Sequence, residues 1–150
     1  MPIHIRPARE TDQPTITALI RQARLNPKNL HWPRFLVAED NGTIVGIRQV
    51  RIHRDGTREV GSGYVLPDYR RQGISRRLME QILARESGPL YLMCNQKWSG
   101  YYEQFGFRQV PPATLPSDFR REYRLGRLIT MIISLFASEK IRIIPMKREG

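Results

Sequence analysis

Six consecutive residues, Arg70-Arg71-Gln72-Gly73-Ile74-Ser75, carry the clearest chemistry in the chain. They follow the apolar strand end Tyr64-Val65-Leu66-Pro67 and run directly into a helical pattern. A helix start exposes N–H groups that have no carbonyl partner, and its dipole end is positive. A loop feeding such a start can cradle a phosphate. Gly73 lets the backbone approach an anion with no side chain in between. Arg70, Arg71, Arg76 and Arg77 add formal charge. The stretch therefore reads as an anion site. The plainer alternative is an ordinary strand-to-helix turn with surface arginines.

The elements that position this turn are legible on both sides of it. "IHIRPA" alternates as a first strand does, and Thr11 or Asp12 can cap a helix with Pro14 in its first turn. "FLVAED", Asn41-Gly42 and "TIVGIRQVRI" form a hairpin signature, the Asn-Gly pair suiting a type I′ turn. "TREVGSGYVL" follows as a fourth strand. After the turn, Ile74, Leu78, Ile82 and Leu83 fall at helical spacing until Gly88-Pro89 stops them. "LYLMCN" reads as a strand buried on both faces. "KWSGYYEQFG" reads as a short helix closed by Gly106, "FRQV" as a strand and "KIRIIPMKRE" as a closing strand. A meander followed by alternating helices and strands predicts a mixed α/β sheet of six to seven strands, flanked by helices.

The length of 150 residues suits one domain, 1–150, with a real core. The net charge of +11 attracts polyanions: nucleic acid, anionic lipid or a phosphorylated cofactor. Cys94 is the only cysteine, so no internal disulfide forms, which fits a reducing compartment such as the cytoplasm. "MPIHIRPARE" has no apolar core of a secretory signal. "LITMIISLFA" is too short to span a bilayer. No metal-ligand spacing is present.

The turn resembles the principal motif of the GNAT superfamily of acyl-CoA N-acyltransferases: Arg or Gln, two residues, Gly, one residue, then Gly or Ala. Here it runs from Arg70 to Ser75, and Ser75 departs from the usual Gly or Ala. A second family motif follows one helix later. A strand ends in Asn95, Tyr102 stands seven residues on, and Gly106-Phe107 comes next. The resemblance covers about Ile3 to Val110, with "IRIIPMKRE" as the last strand. The segment 111–138 is then a helical insertion between the last two strands. Its opening is distantly similar to the acetylglutamate-synthase branch.

This resemblance implies a sheet splayed between the fourth and fifth strands, with acetyl-CoA as co-substrate and no metal. The pantetheine arm would pair with the strand end at Val65 and Leu66. The Val65 N–H would polarise the thioester carbonyl, and Arg70, Arg71, Gln72, Gly73, Ile74 and Ser75 would hold the pyrophosphate. A serine at position 75 still offers its N–H, but its side chain can crowd that group. Tyr102 would protonate the departing thiolate. Asn95 would bond the pantetheine or the splayed backbone, or cap the short helix, or do both. Glu59 is the candidate base for the acceptor amine, with His31 and His53 as alternatives, although a carboxylate at a strand start can simply be solvated. Cys94 reads as core. His31, Trp32, Tyr123 and Arg124 are candidates for lining the acceptor site.

The function implied is acetyl transfer to a primary amine of a small molecule or peptide. The alternatives are a CoA-binding or regulatory module without turnover, and a basic protein docking on nucleic acid or an anionic membrane. No known RNA-reading motif occurs, so nucleic acid is disfavoured. "SDFRREYRLGRLITMIISLF" predicts one long helix capped by Ser117. Its stripe of Leu125, Leu128, Ile129, Ile132, Leu135 and Phe136 must fold back over the sheet, meet a second copy in a homodimer, or lie on a membrane surface. Folding back is the expected outcome, because the segment joins two strands of one sheet.

Overall fold

A computed structural model describes residues 2–150. Seven strands form: β1 (His4–Pro7), β2 (Phe35–Asp40), β3 (Thr43–Ile52), β4 (Arg58–Val65), β5 (Leu90–Asn95), β6 (Arg108–Gln109) and β7 (Ile143–Arg148). Four α-helices accompany them: α1 (Gln13–Ala23), α2 (Ile74–Arg85), α3 (Ser99–Glu103) and α4 (Ser117–Phe136). The strand order is β1-β2-β3-β4-β5-β7-β6, the mixed sheet expected from sequence. β4 runs parallel to β5, and their ladder is confined to one register position, Glu59 opposite Tyr91. A splay at that junction was also expected. The chain divides into two compact units. One comprises the residues up to Arg51 together with Val60–Ser87, and the other comprises Ile52–Glu59 with Gly88–Gly150.

In the first unit the hairpin turn has positive φ at both Asn41 (47°) and Gly42 (85°), as a type I′ turn requires. Ile16, Leu19 and Ile20 of α1 pack with Phe35, Val37 and Ile47. The opposite face takes α2. A Cβ on Gly46 would lie 3.1 Å from Ile74, so the missing side chain lets the helix sit close to the strand. Asp12 precedes α1, yet its carboxylate does not cap that helix. It accepts from Arg6 Nη1 at 2.8 Å and from the Arg9 N–H at 2.7 Å.

In the second unit β7 lies antiparallel between β5 and β6. Phe119 and Tyr123 of α4 are buried with Tyr91 and Leu115. The helix begins after Pro116, so Ser117 is its first residue and not its cap. One turn past Tyr123, a Cβ on Gly126 would meet Ile143 Cδ1 at 3.3 Å and Met93 Sδ at 3.5 Å. Further along, Ser134 Oγ accepts the Ile141 N–H at 2.9 Å.

The inward face of α4 is therefore Phe119, Tyr123, Gly126, Thr130 and Ser134. The predicted apolar stripe points the other way. Leu128 is 54% exposed, Ile132 51%, Leu135 79% and Phe136 89%. The expected fold-back is corrected on this point. The two aromatic residues set the rotational phase of the helix, and the smaller residues that follow permit close approach. The aliphatic stripe is left outside.

Candidate active site

The turn between β4 and α2 is pinned before it reaches the helix. Leu66 N–H donates to Val45 O at 2.9 Å, and a 3-10 turn over Pro67–Tyr69 follows. The Tyr69 hydroxyl donates to Asp40 Oδ2 at 2.9 Å, tying the turn to the β2–β3 hairpin. Arg70 folds back so that Nε donates to Val65 O at 3.0 Å, with its guanidinium over the Tyr64 ring. Gln72 Nε2 donates to Asp68 O at 3.4 Å.

Two residues then take left-handed conformations, Arg71 at φ 64° and Gly73 at φ 77°. For arginine this costs about 1–2 kcal/mol. Alternation of this kind turns successive N–H groups to one side, forming a concave anion nest. The first helical bond runs from Arg77 N–H to Gly73 O. The amides before it lack a carbonyl one turn back. A Cβ on Gly73 would touch nothing within 4 Å, so the space above the nest is open.

Sequence reasoning missed what lies beneath this nest. Arg48 of β3 is buried, 6% exposed, and its guanidinium spreads over the bare backbone of Gly63. Its Nη2 donates to Ser75 Oγ at 3.0 Å, while its Nε has no hydrogen-bond partner among the described residues. The Ser75 hydroxyl, the departure from the family pattern, is thus held by an arginine.

A second missed feature is Ser62, which has φ 55° inside β4. Its hydroxyl accepts from Gln49 Nε2 at 2.7 Å and Arg51 Nη2 at 2.9 Å. The Gly61-Ser62-Gly63 triplet was the available signal, since glycines within a strand mark bulges and close approaches.

The second unit holds groups suited to proton transfer. Glu59 is not solvated: it is 4% exposed, and its Oε1 lies 2.8 Å from His53 Nε2. Phe119 stands edge-on to the imidazole, with centroids 6.1 Å apart. The hydrogen bond that the Glu59 carboxylate accepts pushes the His53 pKa above its ordinary value, against the opposing effect of burial. The turn carrying His53 is clamped to the start of α4. Asp55 N–H donates to Asp118 Oδ2 at 2.9 Å, and Asp118 N–H donates to Asp55 Oδ2 at 3.3 Å.

Asn95 ends β5, and its Oδ1 accepts the Lys97 N–H at 3.2 Å, the capping role expected from sequence. Tyr102 stands on α3, half-buried, with its ring edge-on to Tyr101 and Phe107. Cys94 is core as expected: its thiol is 3.8 Å from Met146 Sδ, and burial pushes its pKa up to about 11.

The acceptor candidates are scattered. In the first unit His31 is exposed, and Trp32 packs on the core beside a cleft of about 610 Å³ lined also by Gln13, Thr17 and Arg21. In the second, Tyr123 is buried and its hydroxyl donates to Ile143 O at 3.3 Å. It borders a cleft of about 440 Å³ with Arg127, Met131 and Arg142, whereas Arg124 faces solvent.

Solved structures share this fold. The N-acetylglutamate synthase of Neisseria gonorrhoeae, in complex with coenzyme A and N-acetyl-glutamate, aligns at TM-score 0.76 and 20% identity. That alignment covers 99% of this chain and 35% of the synthase, so the chain spans about a third of that protein's length. The Mycobacterium tuberculosis protein Rv2747, in complex with CoA, aligns at TM-score 0.73 and 19% identity over 98% of this chain and 99% of its own. The ribosomal-protein-S18-alanine N-acetyltransferase of Escherichia coli aligns at TM-score 0.66 and 18% identity over 99% and 94%. At these identities the likeness is one of fold. No curated protein matches the chain in sequence. Residues 31–109, more than half of the chain, match the family model of the acetyltransferase (GNAT) domain, and the chain belongs to that family.

Proposed function

We propose that the protein transfers the acetyl group of acetyl-CoA to a primary amine of a small molecule or peptide, the whole chain 1–150 acting as one domain with 111–138 inserted. The observation that carries this reading is the open nest at Arg71–Gly73, set at the start of α2 and supported by a buried cation. The amides of Gln72, Gly73, Ile74 and Ser75 bind the pyrophosphate, and Arg70 and Arg71 add charge. Arg48 turns the Ser75 hydroxyl toward itself, which answers the crowding that a serine at this position would otherwise cause. Val65 and Leu66 offer strand backbone to the pantetheine arm, and Val65 N–H binds the thioester oxygen. Asn95 orders the pantetheine arm while capping its own helix.

In the chemical step the amine nitrogen attacks the thioester carbonyl, the C–S bond breaks and an amide forms. The amine proton passes to Glu59, directly or through water, with His53 as the hydrogen-bonded partner that sets when the pair can accept it. Tyr102 gives its proton to the leaving thiolate. The products are free CoA and the acetylated acceptor. The positive charge of the chain favours an acceptor that carries a carboxylate or phosphate beside its amine. The lone buried thiol suits a reducing compartment such as the cytoplasm.

The test is a screen of amines for release of free CoA thiol, with products identified by mass. An amine-dependent release that yields the acetylated amine supports the reading. Tight CoA binding with no release from any amine favours a binding module without turnover.

A further inference from the structure

The apolar end of α4 has no role in the proposed chemical step. Over its last three turns Leu128, Ile129, Met131, Ile132, Leu135 and Phe136 are each at least 47% exposed. Exposure rises toward the tip, to 79% at Leu135 and 89% at Phe136. Single exposed aliphatic side chains are ordinary, but a contiguous set of this size marks a contact surface. The helix is not mispacked: its inward face is held by Phe119 and Tyr123, by the close approach at Gly126 and by the bond from Ile141 N–H to Ser134 Oγ. The outward face is apolar, while the inward face is anchored at these points and borders the cleft beside Tyr123. An exposed apolar set of this size calls for an occupant.

Charge selects among the occupants. Between Tyr123 and Arg142 the chain carries Arg124, Arg127, Lys140 and Arg142 and a single acid, Glu139. All four cations are exposed. Along the chain two precede the apolar tip and two follow it, Arg127 and Arg142 also lining the cleft beside Tyr123. A two-fold contact between copies presents the same patch twice, so a cationic rim would meet a cationic rim. Each copy also carries a net charge of +11. An anionic lipid surface offers the opposite sign to the rim and an apolar phase to the tip. No helix among the described residues is long and apolar enough to cross a membrane. A docked α4 would therefore lie at the interface and not span the bilayer.

We infer that the C-terminal half of α4 is a peripheral docking surface for anionic membranes, its apolar tip entering the acyl boundary and its flanking cations holding the headgroups. The inference is independent of catalysis, because it can be read without any acyl transfer.

The experiment is cosedimentation of the full chain with vesicles of phosphatidylcholine alone and of phosphatidylcholine mixed with phosphatidylglycerol. The expected result is binding to the mixed vesicles, weakened by salt, and little binding to the neutral ones. Leu135→Ser with Phe136→Ser should reduce binding by about tenfold or more, since each side chain contributes its own transfer from water. Lys140→Glu with Arg142→Glu should reduce it as well. All four positions are exposed, so melting should be unchanged in both variants, and a lost signal then reports on docking and not on folding. Equal binding to both vesicle types, or none to either, overturns the inference. So does a doubled mass in light scattering that Leu135→Ser with Phe136→Ser returns to monomer, because a second copy would then be what covers the helix.

Discussion

Buried charge takes two forms in this molecule, and they sit in different units. The first unit buries arginines. Arg6 donates to Asp12 from Nη1 and to Glu39 from Nε, both at 2.8 Å, while Arg48 meets only the hydroxyl of Ser75 through its Nη2. The second unit buries a histidine beside a carboxylate, His53 with Glu59. A guanidinium keeps its proton at every pH the fold survives. An imidazole does not, and the carboxylate next to it moves the point at which it changes. Within the arginine unit there is a further contrast. Arg6 is compensated by two acids and serves structure. Arg48 has no such compensation and lies against the first turn of α2, where the helix dipole is also positive. A buried cation at that place is best satisfied by an anion from outside. On the proposed reading, CoA binding at the Arg71–Gly73 nest tolerates pH, whereas turnover through the His53–Glu59 pair follows it.

The largest expected effect falls on turnover. Tyr102→Phe keeps the ring packing and removes the proton donor. Turnover should fall by about 10² to 10⁴ while CoA affinity, measured by calorimetry, stays within a few-fold. Full activity in this variant across pH would remove Tyr102 from the proton path.

A comparable free energy is expected in stability from the compensated arginine. Asp12→Ala leaves the buried Arg6 with one acid fewer, which should cost about 3–5 kcal/mol in denaturant unfolding. The folded-state pKa of Asp12 is depressed, chiefly by the Arg6 hydrogen bond. Its contribution is therefore present above the unfolded carboxylate pKa and is lost as pH falls through the depressed value. The variant should unfold less steeply with acid than the natural chain. An unchanged acid limb would detach Asp12 from that stability.

Next comes the titrating pair. The rising limb of the pH–rate profile should lie above the ordinary histidine value, because Glu59 raises the His53 pKa. Glu59→Gln removes the first cause of that rise and leaves desolvation, which acts downward. The limb should move to lower pH, and the rate should fall. Stability linkage has the opposite sense to that of Asp12. A raised histidine pKa gives stability that is complete below the unfolded value of 6.5 and is lost as pH rises through the folded one. A limb that stays in place in Glu59→Gln would show that His53 does not govern it.

The smallest effects sharpen the role of the uncompensated arginine. Arg48→Met should weaken CoA binding by about tenfold, as for the loss of a charge-assisted bond. Binding of pantetheine, which lacks the pyrophosphate, should not change. Ser75→Ala alone should alter CoA affinity by no more than a few-fold. Combined with Arg48→Met, it should recover part of the loss if an unheld hydroxyl crowds the anion. No recovery would mean that Arg48 acts on the anion by charge alone.

How much of this was legible in the sequence differs from element to element, for physical reasons. The Asn41-Gly42 hairpin was, because only a few residues adopt two successive positive φ angles and the flanking strands alternate cleanly. The Gly73 turn and the Asn95 cap were, because each is a local solution to unpaired backbone groups. The direction of α4 was not. A stripe read from spacing gives the period of a helix but not its rotational phase when two faces compete. Leu125 to Phe136 form the more apolar face, yet Phe119 and Tyr123 are the residues that fill the core, and Gly126 is the place where the backbone can come close. Arg48 and Ser62 were hidden because their partners are remote in the chain, and the burial of Glu59 because Phe119, which packs on its neighbour His53, comes from α4. Arg48 finds Ser75 across 27 positions, a separation that no local pattern encodes.

The two outermost strands of the sheet order carry a consequence for handling the protein at high concentration. β1 is four residues long and ends in Pro7, which has no N–H to offer, and β6 has only two residues. Exposed strand edges template the addition of further strands from other molecules, and short or proline-blocked edges resist this. Fibrillar growth from either margin of this sheet therefore has little backbone to propagate along. Association in concentrated solution should proceed instead through side-chain patches.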